Sequence, residues 1–290
     1  MSQVTDIIAL IFDFDETLVP DSTTKLLVQH GIDPNDFWGK RAKSLIQEGY
    51  DPPTAYLRLL LDNIGQGKRL GLLTNEKLRQ FGSTLDKEFH TGLPEFFDEV
   101  RTTVKKNFRD IEVEFYIVSG GLQAILDGSQ VVRKYFSAAY GCQLGGDTED
   151  GVLKYIKRSI TFTEKTRYLF EINKGIDPSD SRSNPYLVNQ AVAERNRRIP
   201  FTNVIYVGDG MTDIPCFSLV QKMGGTAFGI FDPSKEGKAK QALEEFLKPG
   251  RVVSVHAPKY GPDSELGAML RAAVATRCAA IQLQRRTAFS

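Results

Sequence analysis

The chain has 290 residues with 37 Lys+Arg against 36 Asp+Glu, so no global basic field points to nucleic acid. Its 41% hydrophobic and 25% charged content is that of a soluble globular protein, large enough for one big domain or a core with a smaller companion. Cys142, Cys216 and Cys278 are widely spaced and form no CxxC pair, which implies buried thiols of a reducing compartment rather than a disulfide frame.

Ile7 to Phe12 (IIALIF) is short, continuous, β-branched and aromatic, and it ends at a polar turn; this predicts a buried strand. The run is too short to span a bilayer and lacks a basic flank and a cleavage site. No signal peptide or membrane helix is expected, and a cytoplasmic setting follows. The strand runs into Asp13 and Asp15, whose i, i+2 spacing aims two carboxylates at one spot. Such a pair repels unless a cation sits between the two or they share a proton.

Helical spacing takes over from about residue 22 to 108, with Ser22 as an N-cap and repeated Pro or Asn starts and Gly stops. This predicts an all-helical insert of roughly 85 residues, within the range of a small domain. Strand grammar resumes at Val113 to Val118, which run into Ser119-Gly120-Gly121 and a helical LQAIL. A strand is expected around Ala138 to Leu144, a hairpin arm in VLKYIKRSITF, and a helix in TEKTRYLFEINKG. Residues 176 to 200 read as a surface excursion with a short helical patch at YLVNQAVAERN. Asn203 to Val207 form the next strand, ending in GDGMTD, and GGTAFGIF and RVVSV alternate with two further helical stretches.

Strands separated by helices imply an α/β fold with a doubly wound, mainly parallel sheet. The expected organisation is a core of residues 1–20 and 110–290 and a helical domain over 21–109. Three strands end alike, in DFDET, SGG and GDGMTD, and the carboxyl edge of a parallel sheet is where ligands bind. Each piece alone is a common turn: DxD a solvated strand end, SGG a tight connection, GDGxTD an Asx loop. Their conjunction in this order is not common.

Together, DFDET, a strand ending in Ser119, a lysine and GDGMTD resemble the four-motif signature of the haloacid dehalogenase-like (HAD) phosphohydrolase superfamily. The helical insert resembles the cap of its phosphoserine-phosphatase-like branch. The resemblance implies a Rossmann-like core and a Mg²⁺-dependent phosphomonoester hydrolase acting on a small phosphorylated metabolite. It assigns Asp13 as the nucleophile that forms an aspartyl-phosphate. Asp15 becomes the acid and base that serves the leaving oxygen and then the water. Asp13, the backbone carbonyl of Asp15 and Asp209 become the Mg²⁺ ligands. Asp213 would orient a metal-bound water or hold the lysine. Ser119 and the amide of Gly120 match the phosphate donors.

The family also needs one ammonium near the phosphoryl group. Lys165, at the start of TEKTRYLFEI, is where the pattern expects it. Lys174 stands at the far end of that helix, and Lys154 and Lys157 fall in the hairpin. The 176–200 segment before GDG is longer than the branch usually carries.

Phosphoserine phosphatases clamp their substrate with an acid just after the first motif and an arginine in the cap. Here the acid's position falls on Ser22, with Asp21 beside it, and the arginine's on Leu60, with Arg58 on another side of the helix. Phosphoserine is therefore expected to be a poor substrate. Trp38, Phe37, Tyr56 and Phe81 read as cap core, with a Tyr or Phe free to face the substrate. His30, His90 and His256 have no second His or Cys at ligand spacing, which argues against zinc. The basic ERNRR reads as a solvated surface. A dehalogenase would not use Asp15 or Asp209, a phosphomutase would share all four motifs, and retention of every motif residue argues against the remaining alternative, a catalytically idle HAD-like binding protein. The expected partner is a small-molecule phosphate ester, not nucleic acid or membrane.

Overall fold

A computed structural model describes residues 6–146 and 148–288. β1 (Ile7–Phe12) is buried along almost its whole length, as an apolar central strand must be. Helices follow: α1 (Ser22–Gln29), a π-helical stretch Asn35–Ala42 that runs on into α2 (Lys43–Gln47), α3 (Pro52–Asp62), α4 (Asn75–Thr84) and α5 (Glu95–Asn107). α1 is capped by Asp21, not by Ser22 as its position suggested, because the Asp21 carboxylate reaches the amide of Thr24 at 2.9 Å. Within this helical run α4 packs on α6 (Gln123–Gly128), while α5 lies against the sheet itself.

β2 (Glu112–Leu122) pairs parallel with β1 and leads through α6 and α7 (Gln130–Tyr135) to β3 (Phe136–Gly146). β4 (Leu153–Arg158) turns back antiparallel on β3, as the expected hairpin arm. α8 (Phe162–Lys174) and the short α9 (Pro178–Ser183) precede β5 (Val204–Gly208), which pairs on the other side of β1. α10 (Ile214–Lys222), β6 (Thr226–Ile230), α11 (Lys238–Ala242), β7 (Ser254–His256) and α12 (Glu265–Ala288) complete the chain.

The seven strands run in the order β4-β3-β2-β1-β5-β6-β7, with β4 alone antiparallel. The chain winds to one side of β1 and then to the other, so the strand order reverses at β1 and opens a crevice beyond its carboxyl end. Register brings the relevant ends level: Phe12 lies opposite Ile117 on one side and Val207 on the other. Asp13, Ser119 and Asp209 therefore leave the sheet close together.

The helical patch read at Tyr186 to Asn196 is absent. Two single 3₁₀ turns, Leu187–Asn189 and Glu194–Asn196, stand in its place. The Lys174 ammonium takes the carbonyls of Val188 at 2.6 Å and Gln190 at 2.7 Å, acceptors that a helix there would need for itself. Lys174 thus ties down the 176–200 segment.

By length and composition α12 is apolar enough to cross a membrane, which the sequence reading did not anticipate; 33% of that stretch is buried. It packs along α5, with Arg271 paired to Glu99 at 2.5 Å. The loop before it inserts Tyr260 into an aromatic cluster with Phe12 and Phe96, and the Tyr260 hydroxyl donates to the carbonyl of Thr17 at 2.7 Å. That bond pins the turn carrying the paired acids.

Candidate active site

The site begins with Asp13, whose amide is tied to Val207 of β5 at 2.9 Å, so its Cα has no freedom. Its carboxylate accepts from the Phe14 amide at 2.6 Å and from the Lys165 ammonium at 2.6 Å. Lys165 rises from the first turn of α8, is 1% exposed, and donates equally to Asp213 at 2.7 Å. Burial alone would push its pKa down, but the two carboxylates carry it above its ordinary value. It is a permanent buried cation. Asp213 is fully occupied: it also accepts from the Tyr206 hydroxyl at 2.7 Å and from the Gly210 amide at 3.0 Å. Gly208 has to be glycine, since a Cβ there would stand 2.6 Å from the Asp213 carboxyl carbon.

Asp15 faces the same crevice. Its Oδ1 accepts the Ser22 amide at 2.7 Å, so Ser22 acts here through its backbone. Burial, with Asp21 and Asp13 adding repulsion, raises the Asp15 pKa to about 8. Burial likewise raises Asp13 to about 6, with Lys165 opposing and Asp213 adding to the shift. Both shifts run upward, and Asp15, without an ammonium bonded to it, is carried further than Asp13. Between them and α1, Glu16 sits at φ 59°, a left-handed conformation that a non-glycine residue rarely takes. It is held there by the Asp21 amide at 3.0 Å and by Lys235 at 2.7 Å.

Across the crevice, Ser119 is 1% exposed and its Oγ accepts the Gly121 amide at 3.0 Å, which leaves the hydroxyl proton free to donate. A Cβ on Gly121 would lie 2.6 Å from Asp15 Oδ2 and 3.3 Å from Ser119 Oγ; this glycine keeps the floor open. The carbonyl of Gly120 accepts from Tyr56 of α3 at 2.5 Å and from the Cys142 thiol at 3.2 Å, so two donors set the plane of the Gly120–Gly121 peptide. Among the described residues Asp209 accepts only a 3.5 Å contact from Thr17 Oγ1. Burial, then Asp13 and Asp213, raises its pKa well above the ordinary value.

These groups line a pocket of about 280 Å³. Its floor is Asp13, Asp15, Ser119, Gly120, Gly121 and Asp209; its far wall is Trp38, Pro52, Pro53 and Tyr56 from the helical segment, with Asp21 and Thr23. Asp13, Asp15, Ser119, Gly120, Lys165, Asp209 and Asp213 are thus brought together. Arg58 is not: it points to solvent, bound to Asp62 at 3.2 Å and to the Tyr50 hydroxyl at 3.2 Å, and it is absent from the pocket wall. Leu60 is buried.

No family model matches the chain. It is 30% identical over 246 residues to an uncharacterized protein of Borreliella burgdorferi, covering 77% of this chain and 81% of that one. It superposes on a probable phosphoserine phosphatase from Vibrio cholerae with a TM-score of 0.54 and 14% identity, over 97% of this chain and 68% of that one. The chain belongs to the Borreliella protein's family, and its fold is the HAD-like one. A HAD family hydrolase from Salmonella enterica serovar Typhi aligns with a TM-score of 0.48 and 14% identity over 78% of this chain, which spans 63% of that hydrolase.

Within this HAD-like crevice, one oxygen from each of Asp13, Asp209 and Asp213 lies within 4.8 Å of the others. Two buried acids and the half-buried Asp209 face one ammonium, and among the described residues Asp209 has almost no donor; an oxygen-lined, net negative cradle of this kind fits a hard divalent cation. Asp213 already takes three donors, against two on Asp13 and one long contact on Asp209, so Asp209 and Asp13 keep more lone pairs with which to ligate.

Proposed function

We propose that the protein is a Mg²⁺-dependent phosphomonoester hydrolase acting on a small phosphorylated metabolite. The observation that carries this reading is the convergence on one crevice of Asp13, clamped by Lys165, with Asp15 two residues on and the Ser119–Gly121 loop and Asp209 around them. The phosphoryl group would lie between Asp13 and the Ser119–Gly121 loop, its oxygens taking the Ser119 hydroxyl and the Gly120 amide. Asp13 attacks phosphorus in line with the ester oxygen, the P–O ester bond breaks, and Asp15 gives its proton to the leaving alcohol. Water, losing a proton to Asp15, then attacks the same phosphorus, releasing phosphate and restoring the Asp13 carboxylate. Lys165 offsets charge on Asp13 throughout, and Asp213 holds it in place. Bound by Asp13, Asp209 and the Asp15 carbonyl, Mg²⁺ would neutralise the carboxylates and the phosphoryl oxygens.

In this reading the part of residues 21–109 that carries Trp38, Pro52, Pro53 and Tyr56 serves as the cap, since those side chains form the far wall of the pocket, while α5 stays with the sheet. The buried, unpaired cysteines support a reducing, cytoplasmic setting. The test is turnover of p-nitrophenyl phosphate with Mg²⁺ by the wild type and by Asp13→Asn. Activity that disappears in the variant is expected; no hydrolysis by the wild type, or a variant retaining a tenth of its rate, overturns the reading.

A further inference from the structure

The far wall of the pocket carries information about the leaving group. Every charged side chain on that pocket's surface is acidic, and among the described residues none of its lining is Lys, Arg or His. Asp13 and Asp209 face the phosphoryl end, Asp15 serves the ester oxygen, and Glu16 is neutralised by Lys235. That leaves Asp21, which makes no ion pair among the described residues. Its carboxylate accepts from Thr24 Oγ1 at 2.5 Å, and the same hydroxyl oxygen accepts from Trp38 Nε1 at 2.9 Å. Asp21, Thr24 and Trp38 are therefore one hydrogen-bonded unit, rigid before any substrate arrives. Trp38 in turn packs on Tyr56, ring centroids 5.7 Å apart and planes tilted by 51°, and both rings line the pocket.

A carboxylate beside two angled aromatic rings attracts a cation, through charge and through the negative ring faces. The same wall repels a carboxylate on the leaving group. We propose that the substrate is the phosphate monoester of a small cationic alcohol, with its ammonium or quaternary ammonium group seated between Asp21 and the rings of Trp38 and Tyr56. This rests on the phosphatase reading above. It also accounts for the solvent-facing Arg58, because a leaving group without a carboxylate has no use for an arginine clamp.

The experiment compares kcat/KM for phosphocholine and phosphoethanolamine with that for 3,3-dimethylbutyl phosphate, which has the shape of phosphocholine without its charge; p-nitrophenyl phosphate serves as control. At least one cationic ester is expected to exceed the neutral one by about tenfold or more. Asp21→Asn, which keeps an N-cap, is expected to shrink that ratio by about tenfold, and Trp38→Leu to shrink it independently should the first variant fold poorly. Equal or better turnover of the neutral ester, with p-nitrophenyl phosphate hydrolysed normally, overturns the cationic substrate and leaves the phosphatase standing. If no ester is hydrolysed, both fall.

Discussion

Replacing Lys165 by Met removes the one buried cation of the site while keeping most of its volume. Asp13, 6% exposed, and Asp213, fully buried, would then face each other with no counter-charge. Breaking a buried ion pair from one side costs about 3–5 kcal/mol, most of it the desolvation of the carboxylates left behind. At roughly 2–4 °C per kcal/mol for a chain of this size, the melting temperature should fall by about 6–20 °C. The melt is best recorded in chelator, since a cation bound only to the folded state would add stability of its own. Adding Asp213→Asn should return part of the loss, because one of the two stranded charges is gone, but it should not restore turnover. Lys165→Arg should also fail as an enzyme, its planar fork being a poor substitute for a compact ammonium held at 2.6 and 2.7 Å. A Lys165→Met protein that melts within 2 °C of the wild type would refute the claim that this ion pair organises the site.

Gly121→Ala should fold yet lose activity by two orders of magnitude or more, because its Cβ would push Asp15 or Ser119 aside; steady-state kinetics beside a thermal melt would check this, and near-normal kcat/KM would count against the assigned floor. Turnover should stop in EDTA, return with Mg²⁺ and be inhibited by Ca²⁺, whose larger coordination shell lets it take both oxygens of Asp13; full activity of metal-free protein in chelator would exclude Asp209 as a ligand. Glu114 is bonded by Arg198 at 2.5 Å, and although its burial opposes this, the bonds from Arg198 and Tyr116 hold its pKa below the ordinary 4.5. The unfolded chain then binds more protons in that window, so the pair adds stability that is full above pH 4.5 and is lost as pH falls through the lower folded value. Arg198→Gln should therefore move the midpoint of acid unfolding to higher pH, and an unmoved midpoint would contradict this.

The carboxylates of the crevice were legible in the sequence because strand ends are local: an apolar run that stops at DFDET or GDGMTD announces both the strand and the direction of its edge. Lys165 could be placed because the family pattern expects a lysine at the start of that helix, while Lys174 stands at its other end, where a cation complements the helix dipole. What stayed illegible depends on how helices rotate and dock. Arg58 and Tyr56 are two residues apart on α3, yet one meets solvent and the other the Gly120 carbonyl. No local signal marks Cys142 as the second donor to that carbonyl, or Thr24 as the link between Asp21 and Trp38. The glycines were partly readable: GG after a strand invites a close approach, but only the structure says that Gly121 guards Asp15. The 186–196 patch misled because a helix-like pattern cannot reveal that a distant lysine claims its carbonyls.

The central claim is a covalent phosphoryl group on Asp13, and it can be trapped. Protein turning over p-nitrophenyl phosphate in Mg²⁺ is quenched and treated with borohydride, which reduces an acyl phosphate but not a free carboxylate, and the peptide containing residue 13 is sequenced by mass spectrometry. Homoserine at position 13, absent without substrate and absent in Asp13→Asn, is the predicted result. Steady turnover with residue 13 recovered only as aspartate, or with reduction at Asp15 or Asp209 instead, would contradict the account.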